Sequence, residues 1–380
     1  MRIRRLRLEN WKNFRSVDVA LPARVFLVGP NAAGKSNLLD AVRFLGDVAR
    51  TGAGGLQAAV MNERRQGISQ IRSLHARTQS HVVVDVEVGD DDGTRWRYRL
   101  EIDAGKRGPV VVAEVVEKDG NLLLARPDAR DQADAALLGQ THLEQLSANA
   151  PFRELADFLA AISYLHLVPQ LLRDPQRFEL VGGDPLGSDF LRRVANTTKK
   201  SRDARLRRIA KALRVAVPTL QELQIENDKS GVPHLMGQFK HWRPNAGWQD
   251  ERQFSDGTLR LVALLWILTE DEAPLLLEEP ELSLNAAVVR EIPRLLHRAS
   301  KTRPRQILVS THSADLLADR GIDLDEILLV VPDKEGSRVE PASARKEIAV
   351  LLQQGLDPGH AVLPQVAPAG MAQQPLPFPA

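Results

Sequence analysis

The run Gly29-Pro-Asn-Ala-Ala-Gly-Lys-Ser36 constrains this chain more than any other part of it. It follows the apolar segment Arg24-Val-Phe-Leu-Val28 and precedes the helical pattern Leu38, Leu39, Val42, Leu45. A G-x-x-x-x-G-K-S turn between a buried strand and a helix is built to cradle phosphates. Gly29 and Gly34 let the backbone bend with its N–H groups inward. Pro30, Asn31, Ala32 and Ala33 make up the turn between them, and Asn37 carries it into the helix, whose N-terminal end adds positive charge. Lys35 offers a mobile cation to the β and γ phosphates, and the Ser36 hydroxyl offers a ligand to Mg²⁺. The expectation is an α/β fold that holds ATP and Mg²⁺ at this turn.

A phosphate loop needs a carboxylate near the metal and a group that positions the attacking water. Leu275-Leu-Leu-Glu-Glu-Pro-Glu281 offers both at the end of an apolar strand. Glu278 is placed to hold the metal through water, and Glu279 to orient and deprotonate the nucleophile. Lys35 and Glu278 are 243 positions apart, more than a minimal phosphate-loop domain needs. Upstream, Phe254-Ser-Asp-Gly-Thr258 opens the helical run Leu259–Leu268, where Ser255 and Gly257 form either an ordinary N-cap or, as their place 23 residues before the acidic pair favours, a second phosphate-binding cap. That helix is about 12 residues, or roughly 18 Å, and feeds the acidic strand. Its cap is therefore expected to reach a γ-phosphate only on another subunit. Ile307-Leu-Val-Ser-Thr-His-Ser313 completes the set, with His312 at a strand end beside the expected γ-phosphate.

The remaining sequence fits a globular protein. There are 51 Lys and Arg against 49 Asp and Glu, and 43% of residues are hydrophobic, which excludes a fully disordered or fibrous chain. The absence of cysteine excludes disulfides, thiolate metal sites and cysteine nucleophiles. The longest apolar run, Leu261–Leu268, is far too short to span a bilayer, and the N-terminus lacks a signal peptide's apolar core. A cytoplasmic protein with no membrane partner is expected. Two short strands precede residue 22. Runs 81–88, 96–102 and 110–116 read as three antiparallel strands, and 130–225 reads mainly as helix. From 255 the pattern alternates: helix, strand 275–277, helix 285–299, strand 307–309, short helix, strand 326–331. This suits a parallel sheet with covering helices. Residues 363–380 have five prolines and no charge, and read as a disordered tail.

Together these elements resemble the ATP-binding-cassette ATPase heads of the SMC, RecF and OLD type, over residues 1–50 and about 250–335. Phe-Ser-Asp-Gly-Thr and Glu-Glu-Pro-Glu look most like the OLD-like bacterial AAA family ATPases. The resemblance implies that Gly29 to Asn37 is the Walker A loop, Glu278 and Glu279 the Walker B pair, Ser255 to Gly257 the signature, and His312 the switch. It also implies that Lys12, in Leu8-Glu-Asn-Trp-Lys-Asn13, lies near bound nucleotide. The fold it implies is a P-loop head with an N-terminal antiparallel β subdomain and an inserted helical arm. The expected divisions are 1–125 and 246–335 for the two halves of the head, 126–245 for the arm, 336–362 for an extension and 363–380 for the tail. Three departures stand out. Glu278 replaces a commoner Asp, the D-loop position reads Ser283-Leu-Asn285 where Asp or His-Pro is commoner, and Gln66 and Gln70 are only the nearest candidates for a Q-loop glutamine. With roughly 50 residues after the last expected strand, the Toprim nuclease of OLD enzymes is not expected here.

Between Arg192 and Arg214 ten Lys and Arg face Asp203 alone, with Leu206, Ile209, Leu213 and Val217 at helical spacing. This basic amphipathic helix is either a solvated face or the surface for a DNA backbone, whose affinity would fall with salt. His234, His241 and Trp242 are expected to be structural. The sequence leads to an ATP-hydrolysing, DNA-associated dimeric switch with a separate effector, serving DNA repair or defence against phage. A scaffold that binds nucleotide without turnover and a transport-type cassette with a membrane partner are the alternatives.

Overall fold

A computed structural model describes every residue except 53, 63, 76–79, 107, 174–185, 244–246, 271–272 and 368–380. The chain begins with β1 (Arg2–Trp11), β2 (Phe14–Ala20) and β3 (Arg24–Val28), followed by α1 (Lys35–Ala49), α2 (Leu56–Met61) and α3 (Ile68–Ile71). Next come β4 (Val82–Gly89), β5 (Thr94–Gly105), β6 (Gly108–Lys118), β7 (Asn121–Arg126), α4 (Ala129–Ala133), α5 (Arg153–Ala160) and β8 (Ser163–Leu165). The middle continues through α6 (Pro169–Leu172), α7 (Phe190–Asn196), α8 (Lys199–Leu213), β9 (Leu220–Asn227), β10 (Pro233–Phe239) and β11 (Trp248–Asp250). The last part holds α9 (Asp256–Ile267), β12 (Leu275–Glu278), α10 (Ala286–Val289), α11 (Ile292–Thr302), β13 (Ile307–Thr311), β14 (Ile327–Asp333), β15 (Gly336–Pro341), α12 (Lys346–Gln353) and α13 (Pro358–Val366).

β3 is buried at every position, as a strand covered on both faces must be, and its sheet runs β15-β14-β3-β13-β12-β8. β13 and β14 flank β3 in parallel, with Thr311 opposite Val28 and Leu329 opposite Val28. β15 closes one edge as an antiparallel hairpin with β14. The expected antiparallel strands are present as β4, β5 and β6, within the sheet β2-β1-β4-β5-β6-β7. In β5 the buried residues Trp96, Tyr98, Leu100 and Ile102 alternate with outward ones, the period-two pattern of a half-covered sheet. β1 breaks that period between buried Ile3 and buried Leu6, because a register shift between Ile3 and Arg5 inserts a bulge.

Several expected elements change. β9, β10 and β11 form a third sheet, in the order β11-β10-β9, where helix was expected to run to 225. β9 buries only Leu220 and Leu223 among its first four residues, a spacing of three that imitates a helix face. The basic stretch is two helices, α7 and α8, and Val217 lies beyond them in a turn. The helix expected over 285–299 is split at Arg290–Glu291, because Pro293 opens α11 and cannot donate to the preceding turn. α13 extends to Val366, into the start of the expected tail, whose residues 368–380 lie outside the described residues.

The chain forms two compact units along boundaries other than those expected. The first comprises Met1–Ser163, Ala273–Leu276 and Arg305–Ala380, and the second Tyr164–Glu272 and Leu277–Pro304. Residues 126–163, assigned to the arm on sequence grounds, fall in the first unit.

A buried ion cluster anchors α1 in the first unit. Arg65, wholly buried, donates to both Asp40 carboxylate oxygens at 3.1 and 2.8 Å and to Asp47 at 2.9 Å. Burial alone would raise the Asp40 carboxyl, but Arg65 and Lys12 outweigh it and hold it down to about 2. The stabilisation of about 2 kcal/mol is therefore complete above the ordinary carboxyl range near pH 4 and disappears as pH falls towards 2. Asp40→Asn should lose it at pH 7, and more besides, because Arg65 is left as an unpaired buried charge. Urea unfolding at pH 7 checks this, and equal stability of Asp40→Asn and parent would contradict it.

Candidate nucleotide site

In the first unit, the turn between β3 and α1 is shaped by close approaches that only glycine permits. A Cβ on Gly29 would lie 2.4 Å from the Val330 carbonyl oxygen. Gly34 has φ +108, and its Cβ would lie 2.1 Å from Asn13 Nδ2. Ala32 also has positive φ, at 62. Asn13 fastens the loop: Nδ2 donates to Ala33 O at 2.7 Å and to Ser337 Oγ at 2.8 Å, while Oδ1 accepts from Asn37 Nδ2 at 2.7 Å. Trp11 Nε1 donates to Asn37 O at 2.8 Å, so the β1–β2 turn and the start of α1 are tied together.

Lys35 is buried, and its ammonium donates to Gly29 O at 2.8 Å and Pro30 O at 3.1 Å. Ser36 is exposed in the first turn of α1, as are Asn31 and Ala32 in the loop. The first turn of α1 contains no acidic residue, which keeps its N-terminal end favourable for an anion. His312 follows Thr311, the residue opposite Val28 in the β13–β3 ladder, so it stands at the strand end beside Gly29. Lys12 pairs with Asp40 at 2.8 Å. Lys12, Asn13 and Asn37 also line a cleft of about 450 Å³ whose other side includes Gln66, Gln70 and His75. The glutamines considered for a Q-loop thus sit on α3 and the loop before it, beside the phosphate turn.

In the second unit, Glu278 ends β12 half-buried, and the Tyr164 hydroxyl donates to its Oε2. His166 Nδ1 lies 3.7 Å from the same oxygen. Glu279 has φ 43, a left-handed conformation unusual for a side chain of its size. Ser255 caps α9, its Oγ accepting from Thr258 N at 3.2 Å. Gly257 is required by packing, since a Cβ there would lie 2.7 Å from Ser283 O in the turn after the acidic pair. Arg173 pairs with Asp256 at 2.6 Å and donates to Phe254 O at 2.7 Å, which fixes the approach to the cap. Arg260, one turn into α9, is buried, with Nε and Nη1 lacking a hydrogen-bond partner. Burial pulls its guanidinium below the usual range, and Asp256, Glu281 and Glu279 oppose that only in part. Asn285 is a helix cap, accepting from Ala287 N at 2.9 Å at the start of α10.

Residues 24–319 match the model of a family described as "AAA domain, putative AbiEii toxin, Type IV TA system". The chain belongs to this AAA domain family. Its fold is that of an SMC head. An SMC head bound to the C-winged helix domain of ScpA aligns with 90% of this chain and 97% of its own, at TM-score 0.55 and 16% identity. A second, from Pyrococcus furiosus, with an extended coiled coil and bound to the C-terminal domain of ScpA, aligns with 93% and 99% at TM-score 0.51 and 16% identity. In sequence, an 88-residue segment is 34% identical to the DNA replication and repair protein RecF of Brucella abortus (strain 2308). RecF of Brucella suis biovar 1 gives the same figures. That segment is 23% of this chain, and the match spans only 22% of the length of these curated relatives.

Within this AAA domain chain, each unit gathers part of the expected site. Lys35, Ser36 and His312 belong to the first unit, while Glu278, Glu279, Ser255 and Gly257 belong to the second. Sequence reasoning missed Asn13, Tyr164, His166 and Arg260. Only Asn13 carried a local signal, as the polar residue next to Lys12. Of the residues expected to be structural, His234 pairs with buried Glu251 at 2.8 Å. Trp242 is instead 79% exposed, stacked on His241 and covered by Arg243. Among the described residues no group of three or more His, Asp or Glu side chains is arranged to hold a metal, and no helix is long and apolar enough to cross a membrane.

Proposed function

We propose that the protein is an ATP-hydrolysing switch that dimerises on nucleotide and associates with DNA. The observation that carries this reading is the phosphate turn: two glycines that tolerate no Cβ, an ammonium parked on the loop's own carbonyls, and an uncapped helix start. The loop from Gly29 to Asn37 binds the phosphates through its backbone N–H groups, which every residue but Pro30 carries, and Lys35 exchanges Gly29 O and Pro30 O for phosphate oxygens. The Ser36 hydroxyl would ligate Mg²⁺ and Glu278 would hold it through water, a small oxygen set that suits a metal retaining water and phosphate oxygens in its shell. When bound, the ion neutralises charge on the transferring phosphoryl group.

Glu279 accepts the proton of the attacking water, and His312 donates a hydrogen bond to the γ-phosphate and senses its loss. Lys12 steadies the nucleotide side of α1 through Asp40. Ser255 and Gly257 cap the γ-phosphate held by a second copy, so each nucleotide joins two chains. The OLD-like subtype rests on the Phe-Ser-Asp-Gly-Thr and Glu-Glu-Pro-Glu runs, and with it a role in repair or phage defence through a separately encoded effector. DNA contact is supported by α7 and α8, where Arg192, Lys199, Arg207 and Lys211 are exposed. A second reading, a scaffold that binds ATP without turnover, is favoured by one observation: Tyr164 already occupies an oxygen of Glu278.

Phosphate release with and without duplex DNA tests the proposal. Hydrolysis should be Mg²⁺-dependent and stimulated several-fold by DNA, with the stimulation lost in high salt. Background release with retained ATP binding would establish the scaffold instead.

A further inference from the structure

We propose a second anion site, separate from the phosphate turn, in the second unit between α8, the C-terminal half of α9 and α11. It is suited to a compact ligand bearing two or more phosphates. A cleft of about 650 Å³ opens there, within the usual range of roughly 300–1,000 Å³ for small-ligand pockets. Lys200, Arg205 and Arg208 enter it from α8, Arg298 from α11 and Arg303 from the position just after α11. Its described lining contains five cations and no carboxylate.

Lys200 to Arg208 covers about 12 Å of one helix face, the length of a nucleotide-sized ligand. Two of the five guanidinium and ammonium groups are held in place. Arg205 lies over the buried Trp266 ring at 5.4 Å, and Arg303 Nη1 donates to Glu270 O at 2.7 Å. The Glu270 carboxylate is already taken by Trp266 Nε1 at 2.8 Å and by Arg193. Among the described residues, no carboxylate lies within 4.0 Å of Lys200, Arg208 or Arg298. Five like charges around one cleft repel one another, and a polyanion relieves that repulsion.

Two further features point to phosphate. α8 has 15 residues, and its N-cap Thr198 makes no side-chain cap, so the N–H groups of the first turn, which includes Lys200 and Ser201, remain for an anion. Leu265, Leu268 and Leu295 form an apolar part of the lining that accommodates a ring or aliphatic body. Lys200, Arg205 and Arg208 therefore face this cleft, whereas the DNA contact proposed above uses other exposed cations of α7 and α8. The site stands independently of ATP binding at the phosphate turn.

The test is calorimetric titration of inorganic tripolyphosphate into Lys35→Ala protein, which lacks the Walker A ammonium. One site per chain is expected, weakened at least tenfold by adding Arg298→Glu, an exposed position outside the ATP machinery. In the parent protein the same Arg298→Glu change should remove one of two sites, which covers the case that Lys35→Ala fails to fold. A decanucleotide without terminal phosphates that competes better than tripolyphosphate assigns the phosphates to a nucleic-acid strand. Weaker competition assigns them to a free oligophosphate. The proposal is overturned by loss of all binding in folded Lys35→Ala, by unchanged affinity in Arg298→Glu, or by a glutamate decapeptide that binds as tightly.

Discussion

Replacing Glu279 by Gln is expected to slow ATP turnover by at least about 100-fold while ATP stays bound, the scale of losing a general base. The amide has the carboxylate's shape but cannot take the proton of an attacking water. Its position is unusual: φ is 43 at Glu279, and the following turn closes through Leu282 N donating to Glu279 O at 3.2 Å. Strained backbone of this kind survives where the surroundings over-determine it, and here the buried strand β12 on one side and the Pro280–Glu281 turn on the other do so. Phosphate release and retained nucleotide, measured on the same sample, check the expectation. Turnover at the parental rate would move the base role away from Glu279.

Lys35→Ala should weaken ATP binding by roughly 100-fold or more. The buried ammonium satisfies Gly29 O and Pro30 O at 2.8 and 3.1 Å, so its pocket already suits a cation with two acceptors. Phosphate oxygens replace those carbonyls with charged acceptors, and hydrogen bonds to charged groups contribute about 1.5–3 kcal/mol each. Two such bonds correspond to two or more decades in affinity. The loop geometry itself should persist, because Asn13 and the glycine contacts hold it independently of Lys35. Titration with a fluorescent ATP analogue gives the result, and an affinity within threefold of the parent would contradict it.

How much of this was readable in the sequence depended on distance along the chain. The phosphate turn, the cap at Ser255 and the acidic pair are contiguous runs whose chemistry and periodicity reinforce one another, and each lies on the element expected for it. Asn13 was harder to recognise, because its importance comes from Ala33, Asn37 and Ser337, the last more than 300 residues away. The same holds for Tyr164, which meets Glu278 across 114 positions, and for Gly29, fixed by Val330. Such contacts leave no local pattern. β9 misled for a different reason: a two-faced strand with only two buried leucines carries the spacing of a helix. The cation cleft likewise needed α11, since Arg298 and Arg303 lie about 90 residues beyond the basic helix that sequence alone singled out.

The central claim is that ATP joins two copies, each presenting its phosphate turn to the other's Ser255 cap. Light scattering on Glu279→Gln protein with ATP and Mg²⁺ tests it most directly. The mass should rise from 42.1 kDa to about twice that value, and Ser255→Arg in the same protein should return it to the single-chain mass. A mass that stays at one chain with ATP saturating the protein would contradict the account.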